Sequence, residues 1–259
     1  EGRGDKRLSL CRGDEMIKRY AVIPARYASS RFPGKPLALL LGKPILRHVY
    51  ERVAASRLFD EVIIATDDLR ISAMAQDFGA TVVLTDSDLP SGTDRIAAVA
   101  EVLEPDSIIL NVQGDEPQIS KGAMSTLLGA FEEPETKMAS LMTPISELEQ
   151  LNDPNVVKVV CDAKGYALYF SRSPIPYDRD QVGFCRYFRH IGVYGFRHGT
   201  LMDFVKLPQG QYEIAEKLEQ LRALEHGIRI RMMSTDYQGI GIDSPADLER
   251  LANIGSEDL

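Results

Sequence analysis

Between residues 20 and 145 the chain alternates short aliphatic, β-branched runs with longer amphipathic segments, and this alternation restricts the fold more than any other feature. Residues 20–25 (YAVIPA), 61–66 (EVIIAT), 80–85 (ATVVLT) and 107–112 (SIILNV) are short and almost uniformly apolar. Such runs read as strands buried on both faces. Helical spacing is expected between them, at about residues 44–56 (with Pro44 at the first helical position), 69–78 and onward from the 91–95 loop to about 103. A helix over 121–131 and a strand over 138–145 close this half. A β-α-β-α-β succession satisfies its buried strands as a parallel sheet wound with helices.

The first strand leads into RYASSRFPGKPL, an irregular loop carrying Arg26, Arg31 and Lys35. Loops at the carboxyl ends of parallel strands are where open α/β sheets hold ligands. Cations so concentrated, in a chain of formal net charge -8, call for an anion opposite them. A polyphosphate suits the loop, because Ser29, Ser30 and free backbone N–H groups can cradle oxygens that the cations neutralise. Neither common phosphate loop is present. Ser29 and Pro36 stand where a Walker loop needs Gly and Ser/Thr, and no G-x-G-x-x-G occurs. The remaining pattern resembles the signature loop of sugar nucleotidyltransferases.

The net acidity argues against nucleic acid or an anionic membrane as partner. The 259 residues suit one domain, residues 16–259, with a nucleotide-binding half at about 16–145 and a second half at about 146–259. Residues 1–15 are polar and lack an apolar h-region, so they read as a disordered extension before a start at Met16. Three cysteines without metal-type spacing point to reduced thiols, and no apolar run reaches spanning length, so a soluble cytoplasmic protein is expected.

The second half is richer in strands. Residues 156–161 and 166–171 form a hairpin through Asp162-Ala163-Lys164-Gly165. A strand over 187–197 sets His190, Gly192 and Tyr194 on one face, as two walls and a floor of a small pocket. One helix over 211–226 and a strand over 228–234 follow. Asp115 and Asp243 each sit beside glycine at a strand end. Together they could hold Mg²⁺, which takes one or two carboxylates plus phosphate oxygens and water. Taken singly, Asp115 equally suits a turn and Asp243 a helix cap or its neighbour.

In family order, IPARYASSRFPGKPL, ATDD, SGTDR, NVQGDEP, VKVV, GYALYFSR, RHIGVYGF, EKLEQLR and GIDSPADLE resemble the 3-deoxy-manno-octulosonate (Kdo) cytidylyltransferase family. They cover essentially everything after Met16. The resemblance implies a Rossmann-like, nucleotide-diphospho-sugar-transferase-like mixed sheet with a β-rich dimerisation region. It implies CMP transfer from CTP to Kdo, with pyrophosphate released, for lipopolysaccharide assembly. Carried over, Arg26, Ser29, Ser30, Arg31, Lys35 and Arg95 bind CTP, while Asp115 and Asp243 coordinate Mg²⁺. Lys35, Arg26 and the two aspartates form the catalytic set. Gln113, Arg172, His190, Tyr194, Glu219 and Gln220 match the sugar-acid pocket, and a homodimer is expected. The 1–15 extension departs from the family pattern, as does Tyr177, where a Trp is common. Taken without the resemblance, Arg172 reads equally as a surface arginine, His190 as a core histidine and Glu219 as a solvated helix residue. The competing readings are a cytidylyltransferase for 8-amino-Kdo or a sialic acid, and a non-catalytic nucleotide-binding module. A glycosyltransferase reading would need Asp86-Ser87-Asp88 as its metal motif, in what reads as a turn.

Overall fold

The computed structural model describes residues 17–28, 32–180, 183, 185–239, 241–242 and 244–254. Its first half runs β1 (Arg19–Ala25), a 3-10 turn (Lys35–Leu37), the small hairpin β2 (Leu39–Leu40) and β3 (Lys43–Pro44), then α1 (Ile45–Ser56). It continues with β4 (Glu61–Thr66), α2 (Leu69–Asp77), β5 (Thr81–Leu84), α3 (Gly92–Ala100), β6 (Ile108–Asn111), α4 (Lys121–Gly129) and β7 (Met138–Pro144). The second half contains α5 (Leu148–Asn152), β8 (Lys158–Cys161), β9 (Ala167–Ser171), β10 (Phe188–Arg197) and α6 (His198–Phe204). It ends with α7 (Gln211–Glu216), α8 (Gln220–Glu225), β11 (Ile230–Ser234) and α9 (Pro245–Ile254).

The main sheet has the order β11-β7-β10-β6-β1-β4-β5, with β8 joining β10 and β9 joining β8. β1 is parallel to both β4 and β6, as the alternation of strands and helices requires. β10 runs antiparallel between β6 and β7, so the sheet is mixed and a second-half strand is threaded into the first half. Alternate β1 side chains face opposite layers. Ala21 and Ile23 pack with Leu46, Val49 and Val53 of α1 and Met124 of α4. Tyr20 and Val22 pack with Ile96 and Val99 of α3 and Phe204 of α6. Both faces are covered, which is why the parallel strands read as unbroken apolar runs.

Two expectations are corrected. Residues 211–226 are not one helix: Lys217 adopts a left-handed conformation (φ 54°) between α7 and α8. The apolar spacing continues across the break, so periodicity alone conceals it. Pro44 precedes α1, pairing with Leu39 in the hairpin, rather than occupying its first turn. Asp86 and Asp88 lie in an exposed turn after β5, with the Asp88 N–H bonded to the Asp86 carboxylate. Among the described residues no helix is long and apolar enough to cross a membrane.

Candidate active site

The loop after β1 is closed on itself by Gly34, whose N–H donates to the Tyr27 carbonyl at 2.9 Å. Gly34 has φ 73°, and a Cβ there would lie 3.1 Å from the Tyr27 ring, so the position favours glycine twice over. The Arg70 guanidinium covers the same ring at 3.4 Å from its centroid. This closure delivers Lys35 to the start of the 3-10 turn. Its Nζ donates to Asp115 Oδ2 at 2.5 Å and to the Ile242 carbonyl at 2.8 Å. The Ile242 N–H in turn donates to the Asp115 carbonyl at 3.0 Å. Three segments remote in sequence therefore meet at one ammonium group. Ser29, Ser30 and Arg31, expected beside it, lie outside the described residues, as do residues 1–15.

Asp115 belongs to the turn that leaves β6. Gly114 lets this turn approach β1, because a Cβ on it would stand 2.9 Å from the Pro24 carbonyl oxygen. Gln113, just before it, donates to Asn111 Oδ1 at 3.1 Å, and Glu116, just after, accepts from the Tyr237 hydroxyl at 2.9 Å. Asp243 lies outside the described residues, one position beyond Ile242. Ser244 and Asp247 bond reciprocally at the start of α9, at 2.9 and 3.3 Å, forming that helix's capping box. The cap is thus supplied by Ser244. Among the described residues no group of three or more His, Cys, Asp or Glu side chains could hold a metal ion. The arrangement still fits a magnesium ion that draws most of its ligands from substrate and water, because the partly exposed Asp115 carboxylate already holds a cation, the Lys35 ammonium.

A cleft of about 590 Å³ opens between the start of α3 and the α7–α8 corner. Arg26, exposed at the end of β1, lines it together with Ser91, Asp94, Lys217 and Glu219. Glu219 accepts from Thr93 Oγ1 at 2.6 Å, while its second oxygen is buried with no hydrogen-bond partner and lies 3.8 Å from Arg222 Nη2. Arg222 is itself gripped by Glu213 through two bonds of 2.8 and 2.6 Å, both side chains being buried. Neither Glu213 nor Thr93 was singled out by the sequence. Glu213 and Arg222 are nine residues apart, which no single-helix spacing rule pairs.

His190 and Tyr194 pack in a tilted pair, 5.4 Å between ring centroids and 49° between planes, on the same face of β10. Burial pushes the His190 pKa down to about 3 and raises that of the Tyr194 hydroxyl, so both groups are neutral. Gln220, at the start of α8, brings its amide nitrogen 3.5 Å from His190 Nδ1. A Cβ placed on Gly192 would meet nothing within 4 Å, so open space lies over the expected pocket floor. His190, Tyr194, Gln220 and Glu219 are thereby brought together: Glu219 acts electrostatically on Tyr194 and precedes Gln220 at the helix start. Arg172 is engaged differently. Its guanidinium donates to the carbonyls of Glu216 (2.7 Å), Pro154 (2.9 Å) and Lys217 (3.4 Å), and so anchors the α7–α8 corner. Arg95 of α3 is fully buried, bonded to Thr85 and 3.3 Å from Asp67, with its Nε and Nη2 lacking hydrogen-bond partners. Desolvation lowers its pKa against the pull of Asp67.

The family profile described as Cytidylyltransferase matches residues 20–230. The 3-deoxy-manno-octulosonate cytidylyltransferase of Thermodesulfovibrio yellowstonii is 48% identical over 240 residues, 88% of this chain and 94% of that protein. Its namesake from Geobacter sulfurreducens is 48% identical over 242 residues, 89% of this chain and 96% of that protein. The chain belongs to this cytidylyltransferase family. A solved structure of CMP:2-keto-3-deoxy-manno-octonic acid synthetase complexed with CTP agrees, with a TM-score of 0.89 and 44% identity over 93% of this chain and 100% of that one. The 4-diphosphocytidyl-2C-methyl-D-erythritol synthase of Anaerococcus prevotii, at 14% identity and a TM-score of 0.60, shares the fold. In this cytidylyltransferase the Lys35–Asp115 meeting point follows β1 and β6, at the carboxyl edge of the parallel strands.

Proposed function

We infer that the chain transfers CMP from CTP to Kdo and releases pyrophosphate. The observation that carries this reading is the convergence of Lys35, Asp115 and Ile242 after the parallel strands β1 and β6, in a chain so close to Kdo cytidylyltransferases. The anomeric hydroxyl of the sugar acid attacks the α-phosphorus, a new P–O bond forms, and the bond to the leaving pyrophosphate breaks. Lys35 is the cation best placed for that leaving charge, since the loop closed by Gly34 fixes its stem before substrate arrives. Arg26, exposed and lining the cleft, is assigned to the triphosphate together with Ser29, Ser30, Arg31 and Arg95. Asp115 and Asp243 would hold Mg²⁺, which supplies neutralisation of the phosphate oxygens.

On the sugar-acid side, Gln113, Tyr194, His190, Gln220 and Glu219 offer neutral donors and acceptors and one carboxylate, a set suited to a polyhydroxylated substrate. Arg172 serves the same pocket through the corner that it anchors. The second-half strands are proposed as the contact of a homodimer, where Leu168 of β9 and Tyr177 are exposed. The deciding experiment is pyrophosphate release with the intact protein, omitting in turn CTP, Kdo and Mg²⁺. Release is expected only with all three present. Equal turnover of UTP, or of a sialic acid in place of Kdo, would overturn the assignment.

A further inference from the structure

Between the paired positions Ile191–Leu141 and Tyr194–Ser140, β10 carries two residues more than its partner β7. Ser140 lies opposite this bulge and is fully buried. Its Oγ is 2.9 Å from His190 Nε2, 3.1 Å from the Ile191 carbonyl oxygen and 2.9 Å from that of Val193. A hydroxyl has one proton to donate, and a carbonyl oxygen can only accept. If the proton pointed at Nε2, the hydroxyl oxygen would face both carbonyls lone pair to lone pair. With the proton on a carbonyl, the hydroxyl oxygen is free to accept from Nε2–H. The second arrangement satisfies one carbonyl and the imidazole N–H, whereas the first sets the hydroxyl oxygen against both carbonyls.

We propose that Ser140 is a positioning residue that holds His190 as the Nε2–H tautomer and, through Nδ1, sets the orientation of the Gln220 amide. An unprotonated Nδ1 is an acceptor, so the amide group 3.5 Å from it must present N–H there. The Gln220 carbonyl oxygen is then the free end, an acceptor suited to a hydroxyl of the substrate. This last step rests on the sugar-acid reading of the pocket, whereas the tautomer rests on the geometry alone. Burial keeps the ring neutral, since it pushes the pKa to about 3. The groups packed on the ring, Phe170, Tyr194, Ser140 and Gln220, bring no charge into contact with it. His190 accordingly acts as an oriented dipole, not as a cation for the sugar carboxylate.

The test is nitrogen-15 NMR of the imidazole rings in the full-length protein, tractable because the chain has 4 histidines. In the wild type, Nε2 of His190 should be protonated and Nδ1 bare. The reverse assignment overturns the proposal, whether or not any variant folds. Ser140→Ala should give a mixture of tautomers and raise KM for Kdo about tenfold, the cost of roughly one misdirected hydrogen bond, while leaving KM for CTP unchanged. Ser140→Thr, which keeps the hydroxyl, should restore both. A Ser140→Ala protein with the wild-type tautomer, or with both KM values raised alike, would overturn it. The expected wild-type spectrum in a protein that does not turn over Kdo would overturn the substrate reading alone.

Discussion

Replacing Gly114 by alanine tests whether the catalytic geometry depends on the close approach of two backbones. Gly114 does not have a positive φ, so alanine can adopt its conformation; the obstacle is space. The new Cβ would stand 2.9 Å from the Pro24 carbonyl oxygen, with Leu46 and Ile23 side chains at 3.5 and 3.6 Å behind it. An unstrained carbon-to-oxygen contact is about 3.3 Å or longer, so something must yield by about 0.4 Å. β1 is held by parallel ladders on both edges, so the turn gives way and carries Asp115 off Lys35. Overpacking of this kind costs about 1–3 kcal/mol, and the loss of glycine's unfolded-state freedom returns about 0.4–1 kcal/mol. The net of about 1–2 kcal/mol should lower Tm by about 2–8 °C in a chain of this size. A full 1 Å misplacement can cost ~10²-fold in rate, so a shift of a few tenths should slow turnover by about tenfold. Pyrophosphate release at saturating CTP and Kdo, with a melting curve, reads both. Gly199→Ala is the control: a Cβ there meets nothing within 4 Å, so turnover should be unchanged and Tm should rise by about 1–4 °C rather than fall. If Gly114→Ala matched the wild type in Tm and turnover, the close approach would be irrelevant and the reasoning refuted.

Lys35→Ala should lower turnover ~10²-fold and shift KM for CTP far less, because its charge matters most as pyrophosphate leaves; a raised KM with unchanged kcat would assign Lys35 to binding alone. Arg222→Met leaves the buried Glu213 carboxylate without its partner and should cost about 3–5 kcal/mol, on the order of 10 °C in Tm; a Tm unchanged from the wild type would count against the pair. Acidification should weaken the fold through His190: with a folded pKa near 3 against an ordinary 6.5, the unfolded chain binds a proton there that the folded chain refuses. That contribution is complete above about pH 6.5 and is lost progressively as pH falls towards about 3, so His190→Gln should flatten the decline of Tm below about pH 6; an identical slope in the variant would refute the assignment.

Much of the fold was legible because the parallel strands are covered on both faces and so leave uninterrupted apolar runs. The order of the sheet was not legible. Nothing local in residues 188–197 says that β10 must run antiparallel between β6 and β7, because that choice depends on contacts distant in sequence. The break at Lys217 was hidden for a related reason. Arg172, 44 residues before Glu216, captures the last carbonyls of α7, and the Leu218 N–H turns back to Glu213, ending a helix whose apolar spacing would carry on. The shared face of His190 and Tyr194 was anticipated from regular alternation. The structure reaches it through a two-residue bulge, and an even insertion keeps the parity of the strand.

The candidate site divides along the same line. Lys35 and Asp115 were visible because a cationic loop and a glycine-flanked aspartate have little structural reason to exist in turns; the Ile242 carbonyl that joins them carries no mark of its own in the sequence. Glu213, Thr93 and Ser140 were invisible because each works through a partner brought by the fold: Arg222 from the next helix, Glu219 from the α7–α8 corner, His190 from a neighbouring strand. Residue type announces groups that must meet a substrate charge. Groups that orient other groups carry no such mark, since a buried serine on a central strand is ordinary until its oxygen is found among two carbonyls and an imidazole. On the sugar-acid reading proposed for this pocket, substitutions behind His190, Gln220 and Glu219 should alter substrate preference while the triphosphate site continues to work.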